Sequence, residues 1–381
     1  MRRLFLGRIK KWTVGSALVL LLGLGALAWL ERTRLTIWYC VHGLAAAGDA
    51  DRNQWVERVA GLDAAALPAL LDRLGQDDPQ ACANVQQALA SLADRWGSDD
   101  PRVADLVGRL SAAFAALSTP GQQAALTVAD RAVAAADRST SLPAALVPSA
   151  VRLLEQAANL PDESVHAEAL SLASTLADRV GQEQVVRACR ALAAACLRDQ
   201  DKDNRTHAVR LALHPKVWLL REVVPLLGDP APEIRRAVMA AVGSKPEAID
   251  TDDLLPWLHD PDAQVRGLCE EALRLRGLRE AHLRLGRLKT DQDPKVRLQV
   301  VDYLPYSTDL DPGVWLRSLS HDPVPAVRAA AIRAAVEQGV VDLSDRIDQM
   351  AQNDPSPTIR QLAQHYIACQ KSGQSPSSKP R

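Results

Sequence analysis

Between residues 217 and 370 apolar positions fall at helical spacing in short runs, and polar, proline-bearing turns interrupt those runs at a constant interval. The turns read DPAPEIR at Asp229–Arg235, DPDAQVR at Asp260–Arg266, DQDPKVR at Asp291–Arg297, DPVPAVR at Asp322–Arg328 and DPSPTIR at Asp354–Arg360. Their arginines stand 31, 31, 31 and 32 residues apart, so one supersecondary unit recurs. Three residues before each Asp lies Leu226, Trp257, Leu288, Leu319 or Ala351, the expected last core-facing residue of a first helix. Pro230, Pro261, Pro323 and Pro355 disfavour helix at the residue before them and end that helix. Pro232, Pro294, Pro325 and Pro357 open a second helix where a missing N–H costs nothing, with Asp262, Asp293 and Ser356 placed to cap it. Ile234, Val265, Val296, Val327 and Ile359 then begin its buried stripe, continued in one copy by Leu268 and Ala272. The pattern predicts an all-α chain of helix–turn–helix units, none able to bury its apolar face alone.

These turns resemble the HEAT repeat family, an α-solenoid of helical hairpins with Asp in the inter-helix turn and Arg early in the second helix. The resemblance covers residues 217–370, with Gln292 replacing the first proline and Ala351 the apolar residue. It implies a ladder between successive repeats through Asp229, Asp260, Asp291, Asp322 and Asp354 with Arg235, Arg266, Arg297, Arg328 and Arg360. It also implies a binding surface on the second helices, with Arg236, Glu271 and Gln299 among its exposed residues.

From 49 to 216 the register is hard to follow. Helical periodicity persists in Val85, Leu89 and Leu92, and in Val185, Cys189, Leu192 and Cys196. Asp78-Pro79 and Asp100-Pro101 have the form of the turn without its arginine. Irregular helix pairs are predicted, with breaks near 118–121, 139–143, 160–162 and 199–204. Residues 371–381, KSGQSPSSKPR, are polar, lack periodicity and are expected to be a disordered tail.

The other end differs in pattern. Residues 1–11 carry five positive charges and no negative one, and residues 12–30 form an uncharged run of 19. At helical rise the run reaches roughly 28 Å, near the thickness of a bilayer core, with Trp12 and Trp29 at its ends. A single transmembrane helix over 12–30 is expected, followed by a juxtamembrane helix over 31–48. The charge bias puts the N-terminus in the cytoplasm and the solenoid outside it. The rival is export after signal cleavage near Ala28, since Ala26-Leu27-Ala28 has small-x-small form. The length of the run and a mature chain opening on Trp29 favour the anchor. No G-x-x-x-G face is present in the run.

Aromatic residues make up 4% of the 381, which suits many small helix contacts better than one aromatic core, and no strand-like runs occur. With 45 basic and 46 acidic residues the net charge is −1, so no global field draws the chain to nucleic acid. The six cysteines, Cys40, Cys82, Cys189, Cys196, Cys269 and Cys369, form no C-x-x-C pair and have no histidine cluster at zinc spacing. Cys189 and Cys196 share a helical face roughly 10 Å apart along the axis, too far for a disulfide, and read as small buried apolar residues. Nucleophile-elbow, P-loop and metalloprotease motifs are missing. His259 and His321 stand before repeat aspartates, at the end of a first helix where histidine suits the last carbonyls. The turn carboxylates repeat about 10 Å apart, too far to share an ion. Asn204-Arg205-Thr206 has the form of a glycosylation sequon.

The basic stretch 266–297 has nine Lys/Arg against five Asp/Glu, net +4. On its helix Leu278, Ala281, Leu285 and Leu288 are expected to be buried, which turns Arg284 and Arg287 outward. Arg274, Arg276, Arg284 and Arg287 are candidates for an anionic-ligand patch, though no aromatics interleave them for base stacking. The function expected is a membrane-anchored scaffold for unknown protein partners, without catalysis, cofactor or metal. The alternatives are a binder of nucleic acid or another anionic polymer through 266–297, and a HEAT-like lyase or repair-type enzyme.

Overall fold

The computed structural model describes residues 32–136, 142–306, 310–339 and 341–372. Among these the chain is helical throughout, with no strand. It divides into two compact units, Met1–Leu219 and Leu220–Arg381.

The first unit holds α1 (32–45), α2 (Arg52–Ala60), α3 (Leu67–Leu74), α4 (Pro79–Trp96) and α5 (Pro101–Ala113). It continues with α6 (Thr119–Ala135), α7 (Leu146–Ala157), α8 (Glu163–Arg179), α9 (Glu183–Cys196) and α10 (Lys202–Ala212). The even-numbered helices α2 to α10 pack side by side as one layer, and α3, α5, α7 and α9 form the other. Alanine makes the even layer possible. Ala88, Ala125, Ala129, Ala169 and Ala173 are wholly buried, and their short side chains let neighbouring axes approach closely. Between the layers Gly121 in α6 sits tightly against the end of α3, where a Cβ would lie 2.0 Å from the Leu74 carbonyl oxygen. That carbonyl accepts the Ser118 N–H at 3.1 Å and the Ser118 hydroxyl at 2.9 Å, while Ser118 Oγ caps α6 through the Gly121 N–H at 3.2 Å. Leu, Val and Ala fill the interior, and Phe114 is the largest side chain fully enclosed there.

The second unit comprises α11 (Leu220–Val223), α12 (Pro232–Val242), α13 (Thr251–Leu254), α14 (Ala263–Leu275) and α15 (Glu280–Thr290). α16 (Pro294–Tyr303), α17 (Pro312–Leu319), α18 (Pro325–Gln338), α19 (Ser344–Asn353) and α20 (Pro357–Ser372) complete it. Here α12 packs on α14, and α18 lies between α16 and α20. The first helices at 220 and 251 are short and run into 3-10 turns, Val224–Gly228 and Leu255–His259. Three residues per turn instead of 3.6 moves the buried position by one. Leu227 and Leu258 are therefore enclosed, and the expected Leu226 and Trp257 are only half-buried. A similar shift falls on α15, where Leu283, Leu285 and Gly286 are buried, Leu278 and Leu288 are half-buried and Ala281 is exposed. α20 runs to Ser372, two residues into the segment expected as tail, and 373–381 lie outside the described residues.

One expectation is corrected. The single-pass membrane localisation does not stand, because no described helix is long and apolar enough to cross a membrane. The longest helix described over its whole length, α4, has 18 residues and includes Gln80, Asn84, Gln87, Asp94 and Arg95, each carrying a polar or charged group that a lipid-facing span would have to strip of water. The apolar run 12–30 lies outside the described residues. The segment expected to follow it is helical over 32–45, with Cys40, Val41 and Leu44 buried.

Candidate functional site

The repeat turns of the second unit are built around forked arginine contacts. Arg235 sends Nε and Nη2 to both oxygens of Asp260, each at 2.9 Å. Arg297 does the same to Asp322 at 2.7 and 2.9 Å, and Arg328 to Asp354 at 2.9 and 2.6 Å. The third nitrogen, Nη1, turns back to its own repeat. In Arg235 it donates to the Asp229 and Pro230 carbonyls at 2.7 and 3.2 Å, in Arg328 to those of Asp322 and Pro323 at 2.8 and 3.0 Å. Each aspartate also accepts the N–H two residues on, as Asp354 does from Ser356 at 2.9 Å, which shapes the turn before the second helix. The planar guanidinium thus joins two loops by four hydrogen bonds, a geometry Lys cannot supply. Burial alone would raise the Asp354 carboxyl, but Arg328 and the Ser356 N–H outweigh it and hold the group below its ordinary range. Arg235 and Arg297 are held protonated still more firmly than usual by their aspartates.

One rung is open. Arg266 reaches the Asp260 and Pro261 carbonyls at 2.7 and 3.1 Å, and makes no bond to Asp291. In that repeat Gln292 replaces proline, and Val296, expected at the start of the buried stripe, is half-exposed. Arg360, in the last repeat described, makes only the carbonyl half of the contact, to Asp354 and Pro355.

The same position continues into the first unit, where sequence reasoning missed it. In every repeat the ladder residue stands four places after the residue that precedes the second helix. By that rule Cys82, Gln122, His166 and Arg205 occupy it in α4, α6, α8 and α10. Arg205 Nη1 donates to the Asp199 and Gln200 carbonyls at 2.9 and 2.7 Å, as Arg235 does to its own pair. Cys82 Sγ lies 3.6 Å from the Gln76 carbonyl and Gln122 Nε2 3.2 Å from that of Phe114. His166 Nδ1 meets Asp199 Oδ2 at 2.9 Å and Oδ1 at 3.2 Å, with both side chains over nine-tenths buried. The stretch DQDKDNR at Asp199–Arg205 is therefore another copy of the turn, legible beside DQDPKVR but masked by Lys202 and Asn204. Asn204 is buried, and its Nδ2 donates to the Glu163 carbonyl at 2.7 Å and to Asp199 Oδ2 at 3.0 Å, so the sequon amide is engaged inside the fold.

The four arginines of the candidate anionic patch each meet acceptors of this chain. Arg274 pairs with Glu270 and Glu280, and Arg287 with the other oxygen of Glu270. Arg284 lies over the Tyr303 ring and donates to its hydroxyl at 2.6 Å. Arg276 is half-buried and donates to the Gly243 and Ile249 carbonyls at 2.7 and 2.8 Å. It thereby ties down the connection between α12 and α13. Of the named second-helix residues, Glu271 and Gln299 are exposed, and Arg236 pairs with Asp262, whose carboxyl it holds far below the usual range.

The connection that Arg276 holds is one wall of a groove of about 590 Å³ in the second unit. Trp257 and Pro225 give it apolar surface, and Glu247, Asp250 and Asp253 bring three carboxylates against one cation, Arg221. Arg221 Nε is bonded to the Glu247 carbonyl at 3.0 Å.

Residues 283–368 match the family model for HEAT repeats. Over those residues the chain is a run of HEAT-like repeats. The matched stretch runs from α15 into α20 and contains the rungs from Arg297 to Asp322 and from Arg328 to Asp354. No curated protein matches the chain. Among solved structures, a crystal structure of an engineered protein from the Northeast Structural Genomics Consortium aligns over 88% of this chain and 99% of its own, at 16% identity and a TM-score of 0.39. A likeness at that score carries nothing about architecture or activity.

Proposed function

We propose that the protein is a non-catalytic scaffold for other proteins, and that the groove over Trp257 holds an extended, basic segment of a partner. The observation that carries this is the groove's composition. HEAT-like repeats spend their buried charges on joining one turn to the next, whereas Glu247, Asp250 and Asp253 border an open groove beside an indole. Arg221 and Arg276 are committed to backbone carbonyls of the groove wall, so they shape it without neutralising all of its acidity. A lysine- or arginine-rich segment with an apolar side chain would match both features.

The test is site-specific photo-crosslinking in the native cell extract, with the photoreactive residue at Asp253 and, as control, at exposed Glu183 in the first unit. The expectation is a discrete adduct from 253 only, diminished by Trp257→Ala and by added salt. Equal yields at the two positions, or an adduct indifferent to Trp257→Ala, would remove the groove from the reading.

A further inference from the structure

His166 occupies a position that arginine holds in six other repeats, and an imidazole cannot fill it. It meets the next turn's aspartate through Nδ1, but it has no counterpart to the arginine Nη1 that reaches back to two carbonyls. Nε2 is left fully enclosed with neither donor nor acceptor in reach, one of four such side-chain atoms among the described residues. Beside it the last residue of α9 is Cys196, wholly buried. A ring nitrogen of His166, the Cys196 sulfur and a carboxylate oxygen of Asp199 lie within 4.8 Å of one another. Asp199 is itself fixed by Asn204 Nδ2 at 3.0 Å.

We propose that His166, Cys196 and Asp199 form a buried site for a single thiophilic cation, Zn2+ in the first instance. The donor set is the one Zn2+ favours, an imidazole nitrogen, a thiolate and a carboxylate. All three sit on rigid structure: the first turn of α8, the end of α9, and a turn that Asn204 and Arg205 brace. The donors have to close to the spacing that bonds of about 2.0–2.3 Å require. Burial and the neighbouring carboxylate push the Cys196 thiol well above its ordinary value, so it stands protonated until an ion arrives. Coordination then forms the metal–sulfur bond and releases that proton, with no change of oxidation state.

The ladder supplies an unusual control. His166→Arg installs the residue that the following repeats, from Arg205 onward, carry at this position, so it keeps a partner for Asp199 while deleting the nitrogen ligand. The full chain, purified without a histidine tag and stripped by chelator, is titrated with Co2+ and then with Zn2+ as competitor. The expected result is one equivalent of Co2+ with a cobalt–thiolate charge-transfer band, bleached by Zn2+. In His166→Arg and Cys196→Ala the band should vanish and affinity should fall by more than the ~10–100-fold that loss of a mere outer-sphere partner causes. Far-ultraviolet circular dichroism of both variants should match the parent. Absence of the band in the parent chain, or undiminished binding by His166→Arg, would overturn the site.

Discussion

At Arg328 one guanidinium closes two loops: its fork takes both oxygens of Asp354, and its remaining nitrogen takes the carbonyls of Asp322 and Pro323. Removing one partner of such a buried pair strands the other. Arg328→Ala is therefore expected to destabilise the second unit by about 3–5 kcal/mol, read as a shift in its urea midpoint. Arg328→Lys should recover little, since an ammonium cannot copy the fork. The same pair sets a pH dependence. Asp354 has a folded pKa below the ordinary ~3.9, so its contribution is fully present above about pH 4 and fades as pH falls through the lower folded value. Urea midpoints measured from pH 6 down to pH 2 should drop more steeply in the parent than in Asp354→Asn, which has no such proton to take up. The aspartates and arginines from 229 to 360 were legible in the sequence because the residue types repeat at one interval. Cys82, Gln122 and His166 were not. Their types change, and their spacing of 40, 44 and 39 residues follows longer helices. Only their place relative to the helix start identifies them.

Helix existence was mostly readable, helix register less so. Breaks expected near 118–121, 160–162 and 199–204 fall between α5 and α6, α7 and α8, and α9 and α10, because Ser118, Asp162 and Asp201 cap the helices that follow. The 3-10 turns at Val224–Gly228 and Leu255–His259 have no clear signature beyond Pro225 and Pro256, so the one-residue change in what they bury was hidden. Packing between elements makes sharper claims. At Gly121 a methyl group would collide with the Leu74 carbonyl, which is backbone and cannot rotate aside. Gly121→Ala should thus cost more than the roughly 1 kcal/mol that alanine usually gains over glycine in a helix, lowering the melting temperature rather than raising it. The open rung at Arg266 and Asp291 predicts an uneven ladder. Amide hydrogen exchange should be faster at the start of α16, whose turn aspartate Asp291 receives no fork, than at the start of α18, whose turn aspartate Asp322 is held by Arg297.

The whole chain is more uniform in class than in regularity. Its all-α class follows from composition and pattern, and the second unit has its own core, running from Leu285 and Trp315 to Tyr366. A fragment from 220 to 381 is accordingly expected to fold alone and melt cooperatively by circular dichroism, as arrays of nearest-neighbour repeats do. A fragment that remained unfolded would mean that its repeats cannot stand without the first unit. The groove over Trp257 was not legible, because Glu247, Asp250 and Asp253 look like ordinary helix-end acids until the fold gathers them around one indole.

All six cysteines are buried, and none is joined in a disulfide. Burial also pushes the thiols of Cys189 and Cys269 up to about 12, so those two carry little reactive thiolate at neutral pH. To an alkylating reagent the folded molecule is therefore nearly silent, and every thiol that does react records an opening of the helix pair around it. With Cys82, Cys189 and Cys196 in the first unit and Cys269 and Cys369 in the second, peptide mapping of a timed alkylation would turn the native sequence into its own stopwatch, timing each stack separately with no engineered label.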